Sequence, residues 1–492
     1  MALVAQATPQ IIVPAYNPVK YIYSSSNVAL QGFKFIYDIY QSGTLNKIAE
    51  YRVLPTFGTG FGEIDLSKLL QAKVSYDLNL ANTSAYNATN SHYKYDVRIG
   101  EEYLTTTLYT AALTQWVTAP YAGRVRINVA NTFVVGDQIN ITQNLPGPTA
   151  NPNLEGLFTV LVANPAYIVV NSLWSLVTNT GTGGAITYAD GRKTVNRNLA
   201  SQLGKYVFNG AIKWTEWPSY NYQDYMLNGV FDKFLTSYPS GNKNMYATLS
   251  QDMWVNCIAN GSPTPPDTMV FSNDGGNIFE KNVTAADHVS GVSVGPNNFG
   301  VLTLVFGSGN LIEPTTEYYD FHYERNGVIS SARYRVILDR RIRTTEYSIL
   351  FLDRMGSWNS FAFSLNSYEK GNVTREQFNQ DVPGFINGSN QWDYELTDRG
   401  MTNTYISTES TIDLATNFMT MDMANYFTEL ISSPFTYVKQ SSYANDCDVP
   451  VSTEYISCNI MTSDYQIYNQ RNKNLIQQNI TIKLANNNIV NG

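Results

Sequence analysis

Residues 347–363 read YSILFLDRMGSWNSFAF, and this stretch decides the fold class of the chain. Its first part, 347–352, is a short apolar run that is bounded by turn-forming residues, which is the pattern of a buried strand. Met355 and Gly356 predict a turn, and residues 358–363 predict a second strand after it. Two apolar strands joined by a tight turn indicate a protein built from β-sheets.

The N-terminal part of the chain has the same character. Residues 33–40 and 47–53 flank the turn sequence at 41–44, which predicts two strands that run out and back. Residues 74–78 predict another strand. From about 107 to 190, short β-type runs alternate with turn residues, and this spacing predicts a small β-barrel or sandwich inserted in a surface loop.

One helix is predicted, near residues 417–432. Apolar side chains recur there at helical spacing, and Pro434 follows as a stop. Asn417 and Thr420 are the two candidates for its N-cap. The predicted fold class is therefore mainly β: a multi-domain β-sandwich scaffold with few short helices. Four segments are predicted, 1–106, 107–190, 191–335 and 336–492, of which the second is the insertion, the third is aromatic-rich and the fourth contains the helix.

Composition excludes several functions. The 492 residues carry a net charge of −8, which argues against wrapping nucleic acid and against sequence-specific contact with it. Only 15% of residues are charged, against about a quarter in an average protein, and 35 tyrosines fit half-buried strands. No run reaches the roughly 18 apolar residues of a membrane span. The first residues lack the pattern of a secretory signal, so folding in a cytoplasm is expected.

Residues that could carry chemistry are few and scattered. The three histidines, His92, His288 and His322, lie in unlike contexts without a zinc-binding spacing, so neither a metal nor a cofactor is predicted. Residues 291–295 match the GxSxG pattern of hydrolases, but Pro296 and the two asparagines after it are poor helix formers. We interpret 291–295 as a glycine-punctuated loop. No catalytic residue is predicted, and the chain is not expected to be an enzyme, although acidic pairs for glycoside cleavage stay open because such pairs come from distant segments.

The three cysteines, Cys257, Cys447 and Cys458, cannot form a disulfide framework. Cys447 and Cys458 could meet across a hairpin, but buried free thiols are the favoured interpretation.

Aromatic residues are dense between Val195 and Tyr246. The candidate interface or ligand-stacking residues in this segment are Trp214, Trp217, Tyr220, Tyr222 and Tyr225. Rings of this kind carry much contact energy in cores and subunit interfaces, which is the favoured interpretation. The alternative is a set of exposed platforms that stack on sugar rings of a host surface polysaccharide.

Three parts of the chain carry a family resemblance. The first combines IVPAYNP at 12–18, SSSNVA at 24–29 and the strand at 33–40; the second is ILFLDRMGSWNSFAF at 349–363. The third combines LISSP at 430–434, VPV at 449–451, DYQI at 464–467, NLI at 474–476 and residues 480–485. Together they resemble tail or baseplate structural proteins of tailed bacteriophages that infect Bacteroidetes, including the crAss-like group.

The resemblance implies a virion component made mainly of β-sandwich domains that assembles into a ring or tail-tip complex. Its partners would be other copies of itself and neighbouring virion proteins, and it would be assembled in the host cytoplasm. The segment 107–190 is extra to the family pattern and could decorate the particle. Two alternatives stay open: a receptor- or carbohydrate-binding virion adhesin, and a capsid or decoration protein of the head.

Overall fold

Strand dominates the computed structural model of the chain, with 54% strand and 8% helix, which confirms the predicted mainly-β class. The structure describes residues 3–80, 85–105, 110–112, 115–121, 124–129, 133, 135–142, 156–173, 185–188, 192–241, 243, 245–258, 267–283, 289–299, 311–340, 345–365, 367–379, 400–443, 450–462, 464, 476–485 and 488–489.

The N-terminal part of the chain contains one short helix, α1 (Ser67–Gln71). Its strands are β1 (Val4–Ala7), β2 (Ile12–Pro14), β3 (Lys20–Ser24), β4 (Lys34–Gln41), β5 (Lys47–Val53), β6 (Gly62–Asp65), β7 (Ala85–Asn87), β8 (His92–Thr105), β9 (Thr110–Ala112), β10 (Gln115–Tyr121), β11 (Arg124–Asn128), β12 (Gln138–Thr142), β13 (Gly156–Asn164), β14 (Tyr167–Leu173), β15 (Ala185–Tyr188) and β16 (Arg192–Phe208).

The C-terminal part contains the longer helix, α2 (Met421–Ile431), and short 3-10 helices at Trp217–Ser219, Tyr222–Tyr225 and Pro296–Phe299. Its strands are β17 (Tyr246–Ala247), β18 (Trp254–Ile258), β19 (Asp267–Asn273), β20 (Ile278–Val283), β21 (Val289–Ser293), β22 (Tyr318–Arg325), β23 (Val328–Ile329), β24 (Tyr334–Leu338), β25 (Thr345–Leu352), β26 (Trp358–Phe363), β27 (Tyr368–Asn379), β28 (Met401–Ala415), β29 (Thr436–Tyr443), β30 (Pro450–Ser452), β31 (Ile456–Ile460), β32 (Asn479–Leu484) and β33 (Asn488–Ile489).

The chain divides into two compact units, each made of separate segments. The first comprises Met1–Thr8, Lys20–Asp65 and Tyr95–Lys205, and the second comprises Pro9–Val19, Leu66–Lys94 and Tyr206–Gly492. This division does not follow the predicted boundaries at 106, 190 and 335, because a unit is defined by contacts between distant strands and not by continuity of the chain. The four segments stay a prediction.

In the first unit, the predicted strands at 33–40 and 47–53 are β4 and β5, which pair antiparallel. They belong to a sheet in the order β16, β8, β4, β5, and β1, β3 and β6 form a smaller sheet. Strands β9 to β15, within residues 110–188, form a seven-stranded sheet with a core of its own. Alternating burial along β11 shows why these runs are strands: Val125 and Ile127 point inward and their neighbours do not.

The second unit has three sheets. Strands β17, β24, β22, β19 and β20 form one, with β23 beside β22; β18, β21 and β7 form the second; and β26, β25, β29, β31, β32, β28 and β27 form the third, extended by β30 and β33. One hydrophobic core is shared by the three sheets and α2. The predicted buried strand at 347–352 is the inner part of β25, in which Ile349, Leu350 and Phe351 are fully buried.

The helix predicted at 417–432 is α2, and its N-cap is Thr420. The Thr420 hydroxyl accepts a hydrogen bond from the Met423 N–H at 3.4 Å, whereas the Asn417 amide bonds to Ser364. The buried face is the predicted one, with Tyr426, Phe427 and Leu430 turned into the core.

The prediction of a strand at 74–78 is wrong. These residues form no regular element. Side chains, and not a neighbouring strand, make the hydrogen bonds and packing contacts described next. The Trp358 indole N–H donates to the Asp77 carbonyl at 3.1 Å, and the Tyr76 ring meets the Trp358 ring edge-on at 5.3 Å.

Candidate functional site

The five predicted aromatic residues do not behave alike. Trp217, Tyr220, Tyr222 and Tyr225 are partly buried and pack against one hydrophobic core, whereas Trp214 is 74% exposed. Trp217 stacks on Tyr220 with 5.3 Å between ring centroids, and Tyr220 stacks on Tyr225 at 6.0 Å.

Two short 3-10 helices hold these rings in place. The Tyr220 hydroxyl donates to the Ile12 carbonyl at 2.9 Å, and the Tyr222 N–H donates to the Gln10 side chain at 2.9 Å. Burial raises the pKa of Tyr220 well above its usual value, so the hydroxyl stays protonated. The stacked rings of Trp217, Tyr220 and Tyr225 therefore pack against the core. Of the five predicted residues, only Trp214 has most of its surface exposed to solvent.

The histidines and cysteines make isolated local contacts. His92 Nδ1 lies 3.0 Å from the Ala88 carbonyl, and His322 Nε2 lies 2.8 Å from Glu324. Within the described ranges, no three His, Cys, Asp or Glu side chains come together as a metal site. Cys257 and Cys458 are buried free thiols, and burial raises their pKa to about 12 and about 11, which makes them poor nucleophiles. His288 and Cys447 lie outside the described residues.

The interpretation of residues 291–295 as a loop is wrong. Gly291 to Ser293 belong to β21, which pairs with both β18 and β7. Gly291 is required by packing and not by a turn, because a Cβ atom there would lie 2.4 Å from the Tyr86 ring. Sequence reasoning missed this because Tyr86 is some two hundred positions away along the chain.

Ser293 forms a buried pair with Lys281. The Lys281 ammonium donates to the Ser293 carbonyl at 2.8 Å and to its hydroxyl at 2.9 Å, and it lies 4.3 Å from the centroid of the Phe299 ring. Burial lowers the pKa of Lys281 to about 7. A Ser–Lys pair at this distance has the chemistry of a nucleophile and a base. Both residues are buried, however, with Ser293 at 0% exposure, so the pair stands inside the core.

Lys281→Met is expected to raise the free energy of unfolding at pH 7 by about 2 kcal/mol, because it removes a buried ammonium from an apolar environment. The pKa of Lys281 is lower in the folded chain than in the unfolded one, so wild-type stability rises with pH between about 7 and 10. The variant should lose that part of the slope. Urea unfolding at pH 7 and pH 9.5 measures both effects, with the exposed neighbour Glu280→Gln as control. A variant less stable than wild type at both pH values would contradict the prediction.

A long two-stranded ribbon, formed by β27 and β28, has the most exposed side chains of any strand pair in the described residues. All twelve residues of β27 are exposed, and the ribbon is about 40 Å long. Apolar side chains that are between 42% and 62% exposed lie along it: Tyr368, Val373, Phe378, Met401 and Tyr405.

The base and the outer part of this ribbon differ. Residues 411–415 of β28 pair with β32, and Ser407 and Thr408 pair with β33. Residues 401–406 pair with β27 alone among the described strands. Tyr368 and Val373 are five positions apart and so point to opposite faces, which leaves apolar groups exposed on both sides.

Among the described residues, neither helix has the length and apolar composition that a bilayer span requires. No protein-family model matches the chain, and no curated protein matches it in sequence.

Proposed function

We propose that this chain is a structural subunit of a bacteriophage virion that forms a ring or another part of the tail, baseplate or neck by protein–protein assembly. The observation that carries the proposal is the exposed ribbon of β27 and β28. The resemblance of both ends of the chain to tail and baseplate proteins supplies the virion context, and the mainly-β fold suits it.

Residues 401–406 and their partners on β27 have no third strand beside β28 among the described residues, and a two-stranded ribbon of that kind is only marginally stable in water. This ribbon also exposes apolar side chains on both faces and ends the nine-stranded sheet at the edge strand β27. Edge strands of this length are templates for pairing with another chain. A neighbouring subunit on the ribbon would bury the exposed apolar side chains and pair with the edge of β27 that no other described strand occupies.

Few charged residues support the same proposal. Burying a charge in an interface costs desolvation energy, whereas Thr, Ser and Tyr are cheaper to bury. The outer part of β28 reads MTNTYI at 401–406 and contains no charged residue, and the part of β27 that faces it carries one charge of each sign, Arg375 and Glu376. The partners proposed are further copies of the chain and neighbouring virion proteins, with assembly in the host cytoplasm.

The triple substitution V373S/F378S/Y405S is expected to weaken assembly by about 100-fold, because it removes three exposed apolar contacts worth roughly 1 kcal/mol each. Analytical ultracentrifugation over a range of concentrations, with and without other particle proteins, measures the effect. Leu45→Ser and Phe57→Ser, at exposed apolar sites of the first unit, are the matched controls.

Unchanged assembly of the triple variant would contradict the role of the ribbon. Cryo-electron microscopy of the intact particle tests the location, and a position in the capsid shell would overturn the tail assignment in favour of a head protein.

A further inference from the structure

A cavity of about 440 Å³ lies in the second unit, where the end of α2 meets the turn after β25 and residues 74–76. This volume is in the range of small-molecule sites. Aromatic rings of Tyr16, Tyr76 and Phe435 border it, and Tyr16 keeps 55% of its surface exposed. Tyr76 and Phe435 contact each other at 4.7 Å between centroids. The cavity therefore has flat apolar walls that solvent can reach.

A largely buried residue with an amide side chain, Asn209, borders the same cavity. Asn209 is only 8% exposed, and its side chain makes no hydrogen bond to any described residue. Its backbone is held in place, since the Asn209 N–H donates to the Ser91 carbonyl at 2.7 Å. Its polar atoms are not among the side-chain atoms that are sealed from solvent without a hydrogen bond, so water can reach them. A ligand in the cavity could therefore hydrogen-bond to this amide in place of water, without breaking a contact within the protein.

Arg354 and Glu429 add a positioned charged pair. Arg354 Nε donates to Glu429 Oε1 at 2.9 Å, and Arg354 Nη1 donates to Glu216 at 3.3 Å. Arg354 Nη2 and Glu429 Oε2 have no hydrogen bond to the described residues. The cavity residues thus offer a hydrogen-bond donor on Arg354, an acceptor on Glu429, and the Asn209 amide, which can donate and accept. The positive charge of Arg354 and the negative charge of Glu429 balance each other.

We propose that this cavity binds one pyranose ring of a neutral saccharide. A pyranose has apolar C–H faces that fit aromatic walls and hydroxyls that donate and accept at once. Those hydroxyls match the Asn209 amide, the Arg354 guanidinium and the Glu429 carboxylate. A charged ligand would find no net opposite charge in the Arg354–Glu429 pair, and a purely apolar ligand would make no hydrogen bond to any of the three polar groups. Trp214 does not line this cavity, although its neighbours Lys213 and Glu216 form ion pairs with Glu429 and Arg354. The site does not depend on the proposed assembly role.

The test is calorimetric titration of the full chain with methyl pyranosides of glucose, galactose, mannose and N-acetylglucosamine, with N-acetyltyrosinamide as the non-sugar probe. At least one pyranoside is expected to bind saturably. Asn209→Leu should weaken that binding about 10-fold, because it removes the amide at nearly constant volume. It should not lower the melting temperature, since the amide has no partner to lose.

Tyr16→Ala provides a second variant at an exposed position, with the same expected loss of binding. Trp214→Ala is the control and should bind as wild type does. The proposal is overturned if no pyranoside binds, if N-acetyltyrosinamide binds in its place, or if binding survives both Asn209→Leu and Tyr16→Ala. Loss of binding in Trp214→Ala alone would place the saccharide at Trp214 instead.

Discussion

Lys439→Met is expected to lower the free energy of unfolding of the second unit by about 3–5 kcal/mol. The side chains of Lys439 and Asp252 are only 3% and 9% exposed, and Lys439 Nζ lies 2.5 Å from Asp252 Oδ2. The Tyr455 hydroxyl donates to the same oxygen at 2.6 Å, and the Asn297 amide donates to Oδ1 at 2.7 Å. Methionine fills the volume of the lysine stem but leaves the Asp252 carboxylate buried without its cation.

The double variant Asp252→Asn with Lys439→Met separates the charge from the packing. It removes both charges, so at least half of the lost stability should return. Urea unfolding followed by the fluorescence of the buried Trp254 and Trp358 measures each variant. A single variant within about 1 kcal/mol of wild type would show that this ion pair contributes little net stability.

Asp353→Ala is expected to lower the free energy of unfolding by at least about 4 kcal/mol, because one buried carboxylate satisfies six donors. Three are backbone N–H groups and three are side chains: Ser237 N (2.7 Å), Met355 N (2.9 Å), Ser357 N (2.9 Å), Thr236 Oγ1 (3.1 Å), Ser237 Oγ (3.0 Å) and Asn359 Nδ2 (2.8 Å). Alanine leaves all six donors without that acceptor and opens a void in the core.

Asp353→Asn should fall between alanine and wild type, at about 2 kcal/mol. Asparagine has one oxygen and one NH₂ where aspartate has two oxygens. Backbone N–H groups face both positions, Ser237 on one side and Met355 and Ser357 on the other, so the NH₂ must face a donor in either orientation. Burial raises the pKa of Asp353 to about 6, so unfolding should be measured near pH 8, where the wild-type carboxylate is ionised. If asparagine proved as damaging as alanine, restoring the side-chain volume would recover no stability, and the loss would come from the carboxylate that accepts hydrogen bonds at both oxygens.

The cavity proposed to bind a pyranose could not have been predicted from the sequence, because its polar residues form no sequence motif. Arg354 and Glu429 are 75 positions apart, and Asn209 comes from yet another segment. The aromatic cluster was a visible signal, but four of its five rings turned out to be packed against the core. No pattern in the sequence separates a ring that packs inward from one that faces solvent, since both need the same residue types.

What the sequence by itself determined is local: the mainly-β class, the strand pairs at 33–53 and 347–363, and the helix with its buried face. These follow from side-chain alternation and turn residues, which act over a few positions. Tertiary structure alone decided that Gly291 belongs to a strand, that residues 74–78 do not form one, and that Asp252 meets Lys439 across 187 positions. Each depends on which distant side chain arrives as packing partner or counter-charge, and that is settled only when the sheets pack together.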